Sequence, residues 1–395
     1  MNILQVNKFF FVSGGAARYF IEVSRLLANH KHRVAYFSTY QPENKKTEWD
    51  KYFAVNDPIG TITGLFYSIE AKKKMIKLLD DYSPDISHLH SIYHHLSASV
   101  ILELKRRRIP IVQTIHDYHL IAPNRSLFHN GEICEITKPD KFYKAISHKC
   151  VKDSYLASFL EVLEKYFQYF VCWERNLVDL FIAPSLFMRD KLVEFGIDPK
   201  KITHLTYFVD ANAYTPSYGN GDYILYFGRL SAEKGLSFLI DVMSRLPKLK
   251  LLIAGRGNEE QALKNKIEKL RRQNIRFIGF KDGKELKSLI RNARFTVLPS
   301  LWYDVSPISI LEANACGKPM VVSDIGGIPE IVRDDQTGLL FRPGDTEDCR
   351  EKILKLWNKP ILCSKLGKNA REFVAKNFGS KDHYDKLMDI YKKVI

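Results

Sequence analysis

Short apolar runs alternate with helical patterns twice along this chain, and no other feature restricts its fold as much. In the first half, strands are expected at Ile3–Val6, Val34–Phe37, Ile86–Leu89, Ile111–Ile115 and Leu180–Ala183. Helices are expected between them, as at Ala16–Ala28, where Ala16, Phe20, Val23 and Leu27 recur at helical spacing. The pattern breaks in a polar stretch near Pro216–Asn220, then restarts. Further strands are expected at Tyr223–Phe227, Leu249–Ala254, Ile275–Ile278, Phe295–Leu298 and Met320–Val322. Apolar, β-branched strands each followed by a helix belong to parallel sheets covered on both faces. Two such runs imply an α/β chain of two doubly wound domains, 1–212 and 213–377, with a cleft between them. Ligands of such sheets bind at loops leaving the strand C-termini. Residues 116–175 fit the alternation badly and read as an irregular insert followed by a helix near Tyr155–Val178.

A length of 395 residues accommodates two or three domains, and 45% hydrophobic with 27% charged residues is ordinary globular composition. The start, Met1-Asn-Ile-Leu-Gln-Val6, reads as a strand rather than a signal peptide, and no stretch has the length of a membrane span, so a cytoplasmic protein is expected. Six irregularly spaced cysteines make no disulfide framework. The formal net charge of +15 draws the chain toward anionic partners. Lys72-Lys-Lys74 with Lys77, and Lys105-Arg-Arg-Arg108, lie among apolar residues at helical spacing. They read either as basic helices docking peripherally on an anionic membrane or as solvated helix faces. Residues 1–212 hold 28 basic and 23 acidic residues, so the surplus is not concentrated there.

Several loops after strands carry chemistry. Ser13-Gly14-Gly15-Ala16 opens the first helix, either bringing backbone N–H groups to a phosphate or making a tight turn. Gly228-Arg229 with Glu233-Lys234-Gly235 follows the first strand of the second run; two cations at a helix start make sense with an anion between them. Gly255-Arg-Gly257 and Gly279-Phe280 end strands and suit a nucleotide base or ordinary turns. Asp304-Val-Ser306-Pro307-Ile308-Ser-Ile-Leu-Glu312 places two acids around a helix start, with Ser306 expected as N-cap, Pro307 at the first helical position and Gly317 as the C-terminal cap. The acids suit sugar and ribose hydroxyls; alternatively Asp304 caps a turn and Glu312 faces solvent. His116 ends a strand, in position to hydrogen-bond a hydroxyl or move a proton. His119, His129, Cys134, His148 and Cys150 in the insert match no standard zinc spacing, so no metal is expected there, and a pairing of Cys134 with Cys150 stays open. No Asp-x-Asp occurs, so a diphosphate would be neutralised by Arg, Lys and helix N-termini.

Gly14-Gly15, His116-Asp117, Gly228-Arg229, Glu233-Lys234-Gly235, the acid–seven–acid segment with Ala315-Cys-Gly-Lys-Pro319, Ser323–Val332 and Thr337–Phe341 occur in an order that resembles glycosyltransferase family 4 across almost the whole chain. The resemblance implies a GT-B fold of two Rossmann-like domains, acceptor-binding (1–212) and donor-binding (213–377), with a last helix at about 378–395 returning to the first. It implies metal-independent, retaining transfer from a nucleotide-diphosphate sugar, a substrate rather than a cofactor, to a glycan or lipid-linked acceptor. By position, Gly14 and Gly15 would approach the donor diphosphate, Arg229 and Lys234 bind it, Asp304 and His116 contact the donor sugar, and Glu312 hold the ribose. Backbone N–H groups around Ser306 and Ile308 would hold sugar or phosphate, and Phe280 would lie near the base. Two positions depart: Asp304 stands where Glu is usual, and Pro307 where many members have Gly, although members with a Trp-Tyr-acid sequence like Trp302-Tyr-Asp304 share that proline. The insert around Asp117–Asn124 resembles a subgroup that often carries more cysteines. Competing readings are a catalytically silent sugar-nucleotide or glycan binder, a nucleotide-sugar epimerase, and a basic nucleic-acid binder, for which no motif speaks.

Overall fold

A computed structural model describes residues 1–55, 65–172, 174–219 and 221–395. Trp173, inside the helix expected at Tyr155–Val178, and Asn220, at the end of the expected break, lie outside the described residues. The chain forms two compact units, one of residues 1–127, 135–205 and 384–395, the other of residues 128–134 and 206–383.

The first unit is built on a six-stranded parallel sheet: β1 (Asn2–Val6), β2 (Arg33–Phe37), β3 (Ile86–Leu89), β4 (Ile111–Thr114), β7 (Leu180–Ala183) and β8 (Ile202–His204), in the order β2-β1-β3-β4-β7-β8. β3 and β4 are buried along their whole length. Both faces being covered, their polar members Ser87, His88, Gln113 and Thr114 are buried along with the apolar ones. The helix Gly15–Asn29 follows β1 and buries Phe20, Val23 and Leu27 completely. Serine hydroxyls cap later helices: Ser68 accepts from Ala71 N–H, Ser154 from Ala157 and Ser185 from Met188. The long helix of the insert runs Tyr155–Phe170, with a separate short helix at Glu174–Leu177. The last helix, Ser380–Lys392, gives this unit Tyr391, whose hydroxyl meets Gln5 and His88 on β1 and β3.

The second unit has β9 (Tyr223–Phe227), β10 (Lys250–Ala254), β11 (Ile275–Gly279), β12 (Phe295–Leu298), β13 (Met320–Ser323) and β14 (Gly338–Phe341), all parallel, in the order β11-β10-β9-β12-β13-β14. This is the Rossmann order, reversing between β9 and β12. β5 (Phe128–His129) and β6 (Glu132–Ile133) form a hairpin closed by Asn130 and Gly131, both with left-handed backbone (φ 51 and 85). The helix after β12 runs Ile308–Ala315 and ends at Gly317, whose left-handed φ of 71 and close approach to Tyr218 leave no room for a Cβ. Among the described residues no helix is long and apolar enough to cross a membrane.

Candidate active site

The strand-order reversal of the second unit brings together the loops after β9 and β12. Gly235 makes their approach possible. It holds left-handed backbone (φ 69), and a Cβ there would come 1.9 Å from the Pro299 carbonyl oxygen. Leu301 N–H donates to Glu233 O at 2.9 Å, tying one loop to the other. Across this junction Lys234 Nζ lies 2.5 Å from Asp304 Oδ2, and Ser300 Oγ donates to the same oxygen at 2.8 Å. Lys234 also faces the Trp302 ring, 5.3 Å from its centroid. The loop after β13 closes the third side: Gly327 N–H donates to Asp304 O at 2.7 Å, and a Cβ on Gly326 would meet that oxygen at 2.5 Å. Asp304 is therefore only 4% exposed and fixed through both side chain and backbone.

The helix start differs from the sequence expectation. Ile308 is the first helical residue, and Pro307 takes the N-cap position with an extended ψ of 113. Ser306 caps nothing; its hydroxyl is buried and has no hydrogen-bond partner among the described residues. Proline's fixed φ suits either position, so sequence alone could not choose between them. Glu312, on the second turn, does not face solvent. It is 5% exposed, and Tyr214 Oη donates to its Oε1 at 3.1 Å.

Each of the two cations also has a carboxylate of its own. Arg229 is 57% exposed and pairs with Glu233 Oε1 at 3.0 Å, an oxygen that also accepts from Ser231 Oγ at 2.7 Å. Local acids offset the two charges that would otherwise oppose the helix dipole. Phe280 lies at the end of β11 under the Arg256 guanidinium, 4.6 Å from the ring centroid.

In the first unit, Gly14 and Gly15 sit exposed at the N-terminus of the first helix. Neither holds left-handed backbone, and a Cβ on either would meet no protein atom within 4 Å. A tight turn therefore does not require them. His116 follows β4, its Nε2 2.9 Å from His90 Nδ1 and its ring edge-on to Tyr19 of the same helix. His90 Nε2 lies 2.9 Å from Gln5 Oε1, and Gln5 Nε2 donates onward to Tyr391 Oη. A carbonyl oxygen can only accept, so His90 carries its proton on Nε2, and His116 Nε2–H donates to His90 Nδ1. His116 keeps its lone pair on Nδ1. Burial lowers the His116 pKa to about 3 and, with the neighbouring His88 and His116 rings, holds His90 well below 6.5. His116 is thus a neutral hydrogen-bonding group. Sequence reasoning missed Gln5, His90 and Tyr391; the His88-Leu-His90 pair ending β3 was the available signal.

Of the insert residues considered for metal, His119 gathers with His94, Glu161 and Glu164, a group that includes none of His129, Cys134, His148 and Cys150. Cys134 is half-buried and Cys150 buried. The basic helices form where expected, at Ile69–Asp81 and Ser99–Arg106, but much of the second cluster is neutralised internally. Lys105 pairs with Asp179, Arg106 with Glu103, and Arg107 with Asp80 and Glu103.

Comparison with known proteins now bears on this geometry. Residues 13–213 match Glycosyltransferase Family 4, and residues 212–373 match Glycosyl transferases group 1. Uncharacterized glycosyltransferase MJ1607 of Methanocaldococcus jannaschii is 27% identical over 332 residues, 82% of this chain and 77% of that protein. A glycogen synthase of Mycobacterium tuberculosis is 33% identical over 220 residues, 52% of each chain. The chain spans about half the length of most curated relatives it matches, 45% to 52% for the leading three. The crystal structure of Anabaena Alr3699/HepE in complex with UDP and glucose superposes with a TM-score of 0.74 at 17% identity, covering 100% of both chains. With more than half its length matching the family and both sheets in place, the chain belongs to glycosyltransferase family 4 and has the GT-B fold of two Rossmann-like units.

Proposed function

We propose that this chain is a metal-independent, retaining hexosyltransferase, moving a hexose-type sugar from a nucleotide-diphosphate donor to a glycan or lipid-linked acceptor in surface-polysaccharide or glycoconjugate synthesis. The observation that carries this reading is the meeting of Lys234, Asp304 and Ser300 where the strand order of the second unit reverses. That is where open parallel sheets bind nucleotides. Lys234 and Arg229 neutralise the diphosphate. Asp304 and the N–H groups around Ser306 and Ile308 hold the sugar, with the partnerless Ser306 hydroxyl taking one of its hydrogen bonds. Glu312, oriented by Tyr214, accepts from the ribose hydroxyls, and Phe280 lies against the base. From the first unit, the Gly14-Gly15 backbone approaches the diphosphate, and His116 contacts the donor sugar.

In the transfer step the bond between the anomeric carbon and the diphosphate oxygen breaks. The acceptor oxygen attacks from the same face, and its proton passes to the leaving phosphate oxygen. Lys234 stabilises the charge that develops there.

Peripheral membrane attachment rests on the insert helix Tyr155–Phe170 rather than on the ion-paired Lys105–Arg107 cluster. That helix exposes Tyr155, Leu156, Phe159, Leu163 and Phe170, beside Lys149 and Lys152. An exposed apolar face flanked by cations suits an anionic bilayer. The replacement pair Leu156→Glu and Phe159→Glu should abolish sedimentation with anionic vesicles; undiminished sedimentation rules this face out.

The test of the main reading begins with a panel of nucleotide sugars, UDP-hexoses first because the HepE complex holds UDP and glucose. Ligand-observed NMR selects the donor. Transfer to glycan and lipid-phosphate acceptors is then followed, and the product anomer assigned. Transfer with retained configuration supports the reading. Inversion, or tight donor binding with no transfer to any acceptor, overturns it.

A further inference from the structure

A cavity of about 350 Å³ opens on the first unit, apart from the strand ends that carry His116 and Gly14-Gly15. Three segments build it. The insert helix ends in Tyr169 and Phe170, the short helix Glu174–Leu177 adds Arg175 and Asn176, and the turn before β8 adds Asp198 and Lys201. The last two segments lead into β7 and β8, so the cavity lies at the strand N-termini. His116 follows the C-terminus of β4, which pairs with β7 in parallel. The four residues of β7, at about 3.3 Å each, set the two ends of the sheet about 10 Å or more apart. A ligand in the cavity therefore does not touch the groups assigned to transfer.

The walls of the cavity are held by the protein itself. The Tyr169 and Phe170 rings meet edge-on, with centroids 4.8 Å apart and planes at 88°. The Arg175 guanidinium covers one side of Tyr169 from 4.9 Å, and its Nη2 donates to Leu120 O at 3.2 Å and lies 2.8 Å from Asp140 Oδ1. Tyr166 stacks on Phe170 at 5.9 Å, yet Phe170 stays 63% exposed. Lys201 Nζ donates to the carbonyls of Arg175, Asn176 and Val178 at 3.0, 2.6 and 3.0 Å. An ammonium has three protons, so all of them serve the carbonyls around the end of the short helix. Asp198 Oδ1 accepts from Lys200 N–H at 2.9 Å. Among the described residues, neither Asp198 Oδ2 nor the Asn176 side-chain amide has a protein partner.

This lining discriminates between ligands. An anion gains little, because Lys201 has no proton left to give, Asp140 already faces Arg175, and the Asp198 carboxylate repels it. A wholly apolar ligand would cover Asp198 and Asn176 without replacing their hydrogen bonds to water. A pyranose meets both demands. Its C–H face lies on the open side of an aromatic ring. Its hydroxyls, each a donor and an acceptor, reach a carboxylate that accepts and a carboxamide that does both. Aromatic walls with a few convergent polar groups, in a cavity of this size, are the usual make-up of a small-ligand site.

We infer that Tyr169, Phe170, Asn176 and Asp198 form a second glycan-binding site, which holds a sugar of the acceptor chain at the end of the sheet opposite transfer. The acceptor role rests on the proposed transfer to a glycan; the recognition of a sugar does not. A short acceptor occupies the transfer site alone. A long one occupies both, and its second contact is then intramolecular, which raises affinity without any new group at the reacting centre.

The experiment is saturation-transfer NMR on the full chain without donor, using the methyl glycosides of glucose, galactose, mannose and N-acetylglucosamine. At least one should bind, with the strongest transfer to the C–H protons of one ring face. Its affinity should fall about five-fold or more in Asn176→Ala and in Phe170→Ala, the scale of one hydrogen bond or one stacked ring. Both side chains are exposed, so melting should stay within about 2 °C of the wild type in each variant. The pair Leu156→Glu and Phe159→Glu, about 15 Å or more away along the helix, should leave glycoside binding unchanged. In transfer assays, both cavity variants should raise KM for long acceptors, with kcat and the KM for short acceptors as in the wild type. No glycoside bound, binding that neither cavity variant weakens, or inorganic phosphate bound in place of a glycoside would each overturn the site. Equal KM changes for short and long acceptors would overturn its acceptor role. A chain that binds glycosides in the cavity but transfers to no acceptor keeps the site and removes the transfer reading.

Discussion

Lys234 stabilises a buried acid and, in the proposed reaction, a leaving group. Removing it alone mixes the two effects, because Asp304 would then be a buried carboxylate with only Ser300 to satisfy it. A second change separates them. Lys234→Ala should lower both the melting temperature and kcat/KM, the latter about 100-fold or more. Adding Asp304→Asn should recover much of the stability but not the turnover. Full turnover in Lys234→Ala would remove Lys234 from the chemistry. Glu312 allows a cleaner test, because ribose is a specific target. Its replacement by Ala should weaken nucleotide binding about 10-fold or more, the scale of a hydrogen bond to a charged group. Calorimetry should also show that the wild type prefers a ribonucleotide to its 2′-deoxy analogue and that Glu312→Ala loses this preference; an equal preference in both proteins contradicts the role. Both acids could be picked out in the sequence because they lie in one punctuated segment. Tyr214 and Gly326, which help hold them, could not, because only the fold brings those positions to the acids; Ser300 lies four residues before Asp304 in the same segment.

At the level of elements, most strands legible in sequence are buried central strands, although the edge strands β2 and β11, only partly buried, were legible too. The two that were overlooked are sheet-edge strands: β8 has three half-buried residues, and β14 begins with glycine. The Asn130-Gly131 hairpin did carry its signal, a dipeptide able to hold left-handed backbone twice, but its two-residue strands show no alternation. Loops are harder to read, because glycine serves both geometry and ligands. Two substitutions tell these uses apart. Gly235→Ala puts a Cβ into the Pro299 carbonyl on left-handed backbone, so melting should fall by more than about 5 °C. Gly14→Ala meets no protein atom within 4 Å on extended backbone, so stability should hold within about 0.5 kcal/mol. If the Gly14 backbone approaches the diphosphate, donor affinity should nevertheless drop. Unchanged affinity and stability together would make Gly14 a neutral surface residue.

For the molecule as a whole, the least legible part of the site is the network behind His116, whose members Gln5 and Tyr391 are 386 residues apart in the chain. No local pattern announces that the C-terminal helix completes the first unit's interior. The network has a consequence for stability. His90 and His116 are neutral in the folded protein, with His116 near 3 and His90 well below 6.5, because burial opposes the imidazolium. In the unfolded chain each titrates near 6.5. Below that pH the unfolded state binds more protons than the folded one, so stability falls as pH drops from about 6.5 toward the folded values. Each histidine contributes up to about 1.4 kcal/mol per pH unit to that slope. The surplus of +15 adds self-repulsion in the same direction, but over all titrating groups rather than at two. Thermal melts between about pH 7.5 and 5 should therefore show a steep acid loss in the wild type, and a shallower one in a His90→Gln and His116→Asn double variant. Carboxylate titration and overall charge are common to both proteins, so the difference in slope reports the two imidazoles. Parallel slopes would mean that the pair takes up its protons within the folded state, and that His116 is no longer held as a neutral acceptor.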